Sequence, residues 1–361
     1  MEDVQTSEQK KTCNNCGAEM KYKPGSEQIA CDYCGFEAFI ESSRKSFEEL
    51  ELDHYLKVTG GDHVFTDTIE LLHCKNCGAS QHVAENYKSL ACVYCGEPLI
   101  REDAREAGWI LPGALVPFQI DAARARQLFR KWVRGLWFAP GKLKRAALDP
   151  EAIHGLYLPY WTFDGNLQAD YTGQRGDYYY ETQRVRTREG TKTRQVRKTR
   201  WTPASGRVSG FVDDILIPAS RDRKAEVPTA VTGWRLGDLR PFDSDYLSGF
   251  VTEKYSVSLK EGHQQSFRKA REIARTWIRR DIGGDTQRID QTDIRLSDET
   301  FKHILLPVYI SSYSYKGRTY NFYINGQTSA IHGSRPYSTW KIVLLILAVL
   351  VVAAAIGILT Q

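Results

Sequence analysis

The sequence predicts a multi-domain protein in which two small cysteine-built modules precede an α+β domain with a mostly antiparallel sheet, and one apolar helix closes the chain. Three observations carry this reading. A four-cysteine frame occurs twice near the start; two amphipathic helical stretches lie among runs rich in β-branched and aromatic residues; and an uncharged apolar run spans residues 342–359.

The first frame, "CNNCGAEMKYKPGSEQIACDYCG", covers residues 13–35, and the second covers residues 74–96. All 8 cysteines fall in them: Cys13, Cys16, Cys31 and Cys34, then Cys74, Cys77, Cys92 and Cys95, each repeat pair offset by 61. Asn15/Asn76, Ala18/Ala79, Ala30/Ala91 and Tyr33/Tyr94 also match, as expected of a duplicated unit. In a CxxCG step two thiolates converge on one ion, and the glycine lets the backbone turn tightly around them. Two facing steps make a tetrahedral four-sulfur site, so each frame is expected to be a zinc ribbon and the chain to hold two structural Zn2+ ions. Disulfides fit less well, because "MEDVQTSEQKK" contains no apolar secretion segment. A thioredoxin-type redox CxxC would stand singly in a βαβ setting. Four protein ligands leave no open position, so the sites are structural and not catalytic, and His73 and His82 are not needed as ligands.

Charge is divided unevenly. Residues 1–105 carry 19 acidic and 11 basic residues, whereas the rest carry 25 and 38 within a chain of net charge +5. An acidic front argues against the ribbons gripping a phosphate backbone. The expected organisation is zinc ribbon 1 over 1–40, a linker with a short helix near 53–58 over 41–70, zinc ribbon 2 over 71–102, the α+β domain over 108–338, and a transmembrane helix over 340–360.

Within the α+β domain, "DAARARQLFRKWVRGLW" places Ala125, Leu128, Phe129, Trp132, Val133 and Leu136 at helical spacing behind an Asp121 cap. A second helix is expected over 264–282, with Phe267, Ala270, Ala274, Trp277 and Ile278 inward. "HGLYLPYWTFDGNLQADYT" reads as strand, and "KHILLPVYISSYSYKGRTYNFYINGQTSAIHG" as a three-strand meander broken at Lys316-Gly317 and Asn325-Gly326. The steps at Leu158-Pro159 and Leu306-Pro307 suggest two related halves, each with its proline at a strand start. Residues 178–201 predict a basic hairpin carrying Arg184, Arg186, Arg188, Lys192, Arg194, Arg197, Lys198 and Arg200. Such a hairpin is either a solvated projection or a surface for single-stranded nucleic acid, an anionic membrane or a partner.

The run "IVLLILAVLVVAAAIGIL", flanked by Tyr337, Trp340 and Lys341, predicts a membrane span. With basic residues only on its N-terminal side, it implies a tail-anchored, single-pass protein of the inner membrane with its domains in the cytoplasm. Ala353 and Gly357 allow homo-oligomer formation through that helix. No Walker A loop, HExxH, GxSxG or Rossmann glycine pattern occurs, so an enzyme is not expected. Asp164, Asp170 and Asp177 have no assignable role without geometry.

The two CxxCG ribbons, "WFAP", "LYLPYWTFD", the later "LPVYISSYSYKGRTYNFYINGQTSAIHG" and the terminal run together resemble a bacterial family of tandem zinc-ribbon, C-terminally membrane-anchored proteins. Its members are often labelled TFIIB-type zinc ribbon or primosomal replication factor Y helicase-like. The helicase label transfers poorly to a chain without a Walker A lysine loop. The resemblance maps the ribbon ligands onto all eight cysteines. It also implies an adaptor or scaffold linked with membrane stress, whose partners are SPFH/flotillin-like or phage-shock-type proteins. The expectation is therefore a membrane-anchored zinc-ribbon (zinc-finger) adaptor for protein–protein interaction, whose basic surface meets partners or an anionic membrane surface. The alternative is a zinc-ribbon nucleic-acid-binding protein tethered to the membrane.

Overall fold

The computed structural model of the chain describes residues 12–41, 46–58, 71–73, 80–82, 90–91, 98–99, 110–140, 153–187, 190–221, 227–315 and 318–359. Two long strands organise it. β10 (His154–Thr187) and β15 (Thr286–Tyr315) run antiparallel from His154 opposite Ile310 to Gly176 opposite Thr286, forming the spine of a 12-stranded sheet.

Along its other edge β10 is paired by three elements in turn. These are β14 (Val251–Glu253) near Leu156, β12 (Ile217–Pro218) at Tyr160 and Trp161, and β11 (Gly190–Val212) from Gly165 to Thr187. The outer edge of β15 carries β4 (Leu50–Glu51), β9 (Ala114–Leu115) and β16 (Arg318–Asn325), and β16 pairs with β17 (Ile331–Gly333). The last three strands are the expected meander. β13 (Arg240–Pro241) pairs with β9.

Side-chain alternation along the spine sorts the core. Leu156, Leu158 and Tyr160 face Ile304, Leu306 and Val308 and are covered by Val227, Val231, Trp234 and Leu239. The opposite face carries two helices. α2 (Ala122–Gly135) inserts Ala125, Phe129 and Val133 against Tyr157, Tyr309 and Phe322, and its Asp121 carboxylate accepts from the Arg124 amide as the sequence predicts. α3 (Leu259–Ile282) lays Ala270, Ala274, Ile278 and Ile282 on Leu167, Ala169 and Tyr171. It begins five residues before the expected start, because Ser258 and Glu261 form a capping box.

The described residues 46–58 of the expected linker pack on the main domain. α1 (Leu52–Val58) forms where expected, yet β4 just before it joins the main sheet, and Leu52 is buried beside Phe301. Pro159 and Pro307 lie well inside β10 and β15 and not at strand starts. Their carbonyls accept from the amides of Ala219 and Gly326, on segments flanking each strand.

The helix expected over 340–360 forms as α4 (Thr339–Leu359), but among the described residues no helix is long and apolar enough to cross a membrane. Its first turn is clasped to the body: the Lys341 ammonium donates to the carbonyls of Trp137 at 2.9 Å and Ala139 at 2.8 Å. These findings correct the transmembrane helix, the tail-anchored topology and the inner-membrane location expected from the sequence.

Candidate functional site

In the first cysteine frame, β1 (Met20–Tyr22), β2 (Gln28–Cys31) and β3 (Glu37–Phe39) form a three-stranded antiparallel sheet. The two CxxCG steps are near copies. Gly17 (φ 71°) and Gly35 (φ 74°) sit in the left-handed region, where only glycine turns without strain. Gly17 N–H donates to the Cys13 carbonyl and Cys13 N–H to the Ala18 carbonyl; Gly35 and Cys31 repeat both bonds with Cys31 and Phe36.

These turns bring four sulfurs together. Cys13 Sγ lies 3.4 Å from Cys34 Sγ, Cys16 Sγ lies 3.5 Å from Cys31 Sγ, and all four fall within 4.8 Å of one another. A tetrahedral ion with metal–sulfur bonds of about 2.3 Å would set its ligands roughly 3.8 Å apart, so the cluster has the dimensions to hold a metal ion. The Phe36 amide, then the Asn15 side chain, holds the Cys34 thiol down to about 6. The Ala18 amide acts likewise on Cys16, but desolvation and the neighbouring sulfurs push that thiol up to about 12.

Ribbon 1 is docked on the α+β domain. Tyr22, almost fully buried, packs edge-on against Tyr246 at 5.2 Å, and its hydroxyl donates to the carbonyls of Ser26 and Phe118. The Gly25 amide donates to the Phe118 carbonyl, and Arg240 pairs with Glu27. In this frame Tyr33 is 84%, Phe39 71% and Phe36 37% exposed.

Cys74, Cys77, Cys92 and Cys95 lie outside the described residues. The strands around them are described: β5 (Leu71–His73) pairs with β6 (Ser80–His82), and β7 (Leu90–Ala91) with β8 (Pro98–Leu99). His73 opposite Ser80 and Ala91 opposite Pro98 repeat, 61 residues on, the pairs Thr12 with Glu19 and Ala30 with Glu37. The duplication read from identities therefore extends to strand register.

A second cluster appears that sequence reasoning did not find. The ammonium of Lys302, whose side chain is 7% exposed, lies 2.9 Å from Glu49 and 3.3 Å from both Asp164 and Asp214. Burial pushes the Asp164 carboxyl up to about 6, although the Asp214 amide donates to it at 2.5 Å. The hydrogen bond from Lys302 holds Glu49 below the usual carboxylate range, and the three carboxylates together keep Lys302 firmly protonated against its desolvation. Asp164, Asp213 and Asp214 are close enough to share a cation, and the Lys302 ammonium already stands among them. Beside it, in the notch of the β15 edge between β4 and β9, a cavity of about 290 Å³ is lined by Phe47, Tyr55, Ile110, Lys302 and His303. The His303 Nδ1–H donates to the Ile110 carbonyl, and burial lowers its pKa to about 4. The four charged residues are scattered from position 49 to 302, so only the fold brings them together. Asp170 and Asp177 stay at the surface, paired with Arg207 and Arg175.

The basic hairpin forms. β10 and β11 pair without a shift from Gly165 opposite Val212 to Thr187 opposite Gly190. Arg184, Arg194, Arg197, Lys198 and Arg200 are exposed on it, Arg186 and Lys192 lie in its strands, and Arg188 falls outside the described residues.

No family model matches this chain, and no solved structure matches it. Among curated proteins it is similar to the "Uncharacterized protein YdjG" of Bacillus subtilis (strain 168), 26% identical over 334 residues that cover 91% of each chain.

Proposed function

We propose that the chain is a zinc-ribbon adaptor that binds protein partners, with Cys13, Cys16, Cys31 and Cys34 holding one structural Zn2+ and the second frame holding another. The observation that carries this reading is that Tyr33, Phe39 and, less fully, Phe36 are exposed on a ribbon that is itself anchored to the domain through Tyr22. Large aromatics on a rigid support supply contact area at low entropic cost, as anchor residues of protein interfaces do. The metal keeps the knuckles, and thus the spacing of these rings, fixed. Four sulfurs fill the ion's coordination, so its role is to hold the fold.

The partners proposed from the family resemblance are SPFH/flotillin-like or phage-shock-type proteins. The test is calorimetric titration of the full-length, zinc-loaded chain with purified proteins of those two types. Binding that weakens at least tenfold in Tyr33→Ser, Phe39→Ser, with zinc content unchanged, supports the reading. Binding indifferent to the double substitution, or no binding to either type, refutes it.

A further inference from the structure

Among the described residues the β10–β11 hairpin extends past the third strand and the helix that flank it, with the Tyr178 amide donating to the Asp285 carboxylate at its root. β15 begins at Thr286, opposite Gly176, and α3 ends at Ile282, with Gly283 packed by Arg175. Beyond that point residues 177–187 and 190–200 form a two-stranded ribbon, roughly 35 Å long at strand rise, outside both the helix and the third strand.

Its register distributes the cations over both faces. Tyr178, Tyr180 and Arg184 share one face with Arg197; Tyr179 and Glu181 share the other with Arg194, Lys198 and Arg200. Lys198 is paired with Glu181 inside the arm. Two of the arginines are pre-oriented: Arg197 lies over the Tyr178 ring at 4.2 Å and Arg200 over Tyr179 at 5.4 Å. A guanidinium stacked by its face leaves its edge N–H groups for an anion, and it loses less freedom on binding.

A flat anionic partner, whether a bilayer leaflet or an acidic protein surface, meets only one face of such a ribbon. A groove walled by phosphates meets both. The major groove of B-DNA, about 12 Å wide, admits a two-stranded β-ribbon and has a phosphate backbone along each side. We propose that the arm is an interaction element for double-stranded DNA, laid along the major groove with Arg184 and Arg197 toward one backbone and Arg194 and Arg200 toward the other. Those contacts are to phosphate, so they position the chain without reading sequence.

The experiment is fluorescence anisotropy of a labelled DNA duplex titrated with the full-length, zinc-loaded chain across a salt series. Three variants accompany it: Arg184→Gln, Arg197→Gln on one face; Arg194→Gln, Arg200→Gln on the other; and all four residues changed to Lys. Each neutralised phosphate contact contributes about 0.9 to the slope of log K against log salt. Either Gln pair should therefore flatten the slope by about 2 and weaken binding on the order of 10–30-fold at moderate salt. The Lys variant should keep the slope, showing that the arm's charge and not a fold defect is being read. Tyr33→Ser, Phe39→Ser should leave duplex binding unchanged, so failure of the adaptor reading would not be mistaken for failure of this one. The proposal is overturned if both Gln pairs bind like the parent or if only one face matters. It is equally overturned if phosphatidylcholine–phosphatidylserine vesicles or poly-glutamate bind as tightly as the duplex.

Discussion

Replacing Lys302 by Met removes the cation paired with Glu49, Asp164 and Asp214 while nearly preserving side-chain length. The Asp164 side chain is 1% exposed and cannot reach water, whereas Asp214 at 27% and Glu49 at 44% partly can. Each 3.3 Å pair is worth about 5 kcal/mol by Coulomb's law at an effective dielectric of about 20, most of it offset by the desolvation of the charges. Removing one partner leaves that desolvation uncompensated, so Lys302→Met should cost about 3–5 kcal/mol at neutral pH. Burial already raises the Asp164 carboxyl to about 6. Without Lys302 it takes up a proton more readily, so the loss should be smaller at pH 5 than at pH 7.5. Urea unfolding followed by tryptophan fluorescence reads this directly, since Trp161 lies in the same strand as Asp164. The double variant Lys302→Met, Asp164→Asn should recover more than half of the loss. A cost below about 1 kcal/mol, or a loss that grows as pH falls to 5, would refute the account of Lys302 as the counter-charge of a buried carboxylate.

Cys13→Ser, Cys31→Ser should lower the bound zinc by one ion per chain in metal analysis and open ribbon 1 to limited proteolysis, because structural zinc affinity is folding energy. Gly173→Ala would place a Cβ 2.2 Å from the Arg288 carbonyl across the β10–β15 pair, and should cost about 1–3 kcal/mol in chemical denaturation. His303 titrates near 4 in the fold, below its ordinary 6.5, because burial disfavours the charged ring. Its contribution is therefore complete above pH 6.5 and is lost as pH falls toward 4, by up to about 3 kcal/mol. His303→Gln should flatten that fall in a pH series of unfolding midpoints, and an unchanged profile would contradict the burial argument.

Local features were legible and long-range ones were not. The knuckle glycines, the Asp121 cap and the meander turns act within a few residues, so each leaves its signal in a short window. The start of α3 is also written there, as Ser258 and Glu261 at capping-box spacing, but the apolar periodicity begins later. The sequence shows β10 as separate strand runs because its charged and glycine positions interrupt the apolar alternation; pairing with β11 and β15 carries the strand through them. The Lys302 cluster leaves no local signal, since Glu49 and its lysine are 253 residues apart in the chain. For the closing helix, composition gave the helix itself but not the clasp of Lys341 on Trp137 and Ala139, nor the correction to its membrane-spanning role.

The pairing of His154 with Ile310 sets an order of events as the chain is made. The ribbon 1 strands are complete once Phe39 has emerged, and the hairpin closes locally at Thr187 and Gly190. Until β15 follows, β10 has a partner on one edge only, and pairings so distant in sequence form slowly. Over that interval the open edge could capture the same strand of another nascent chain. Asp164, Asp170 and Asp177, spread along β10, put like charges in the path of that encounter. When β15 arrives, one of these charges, Asp164, gains Lys302 as its counter-ion.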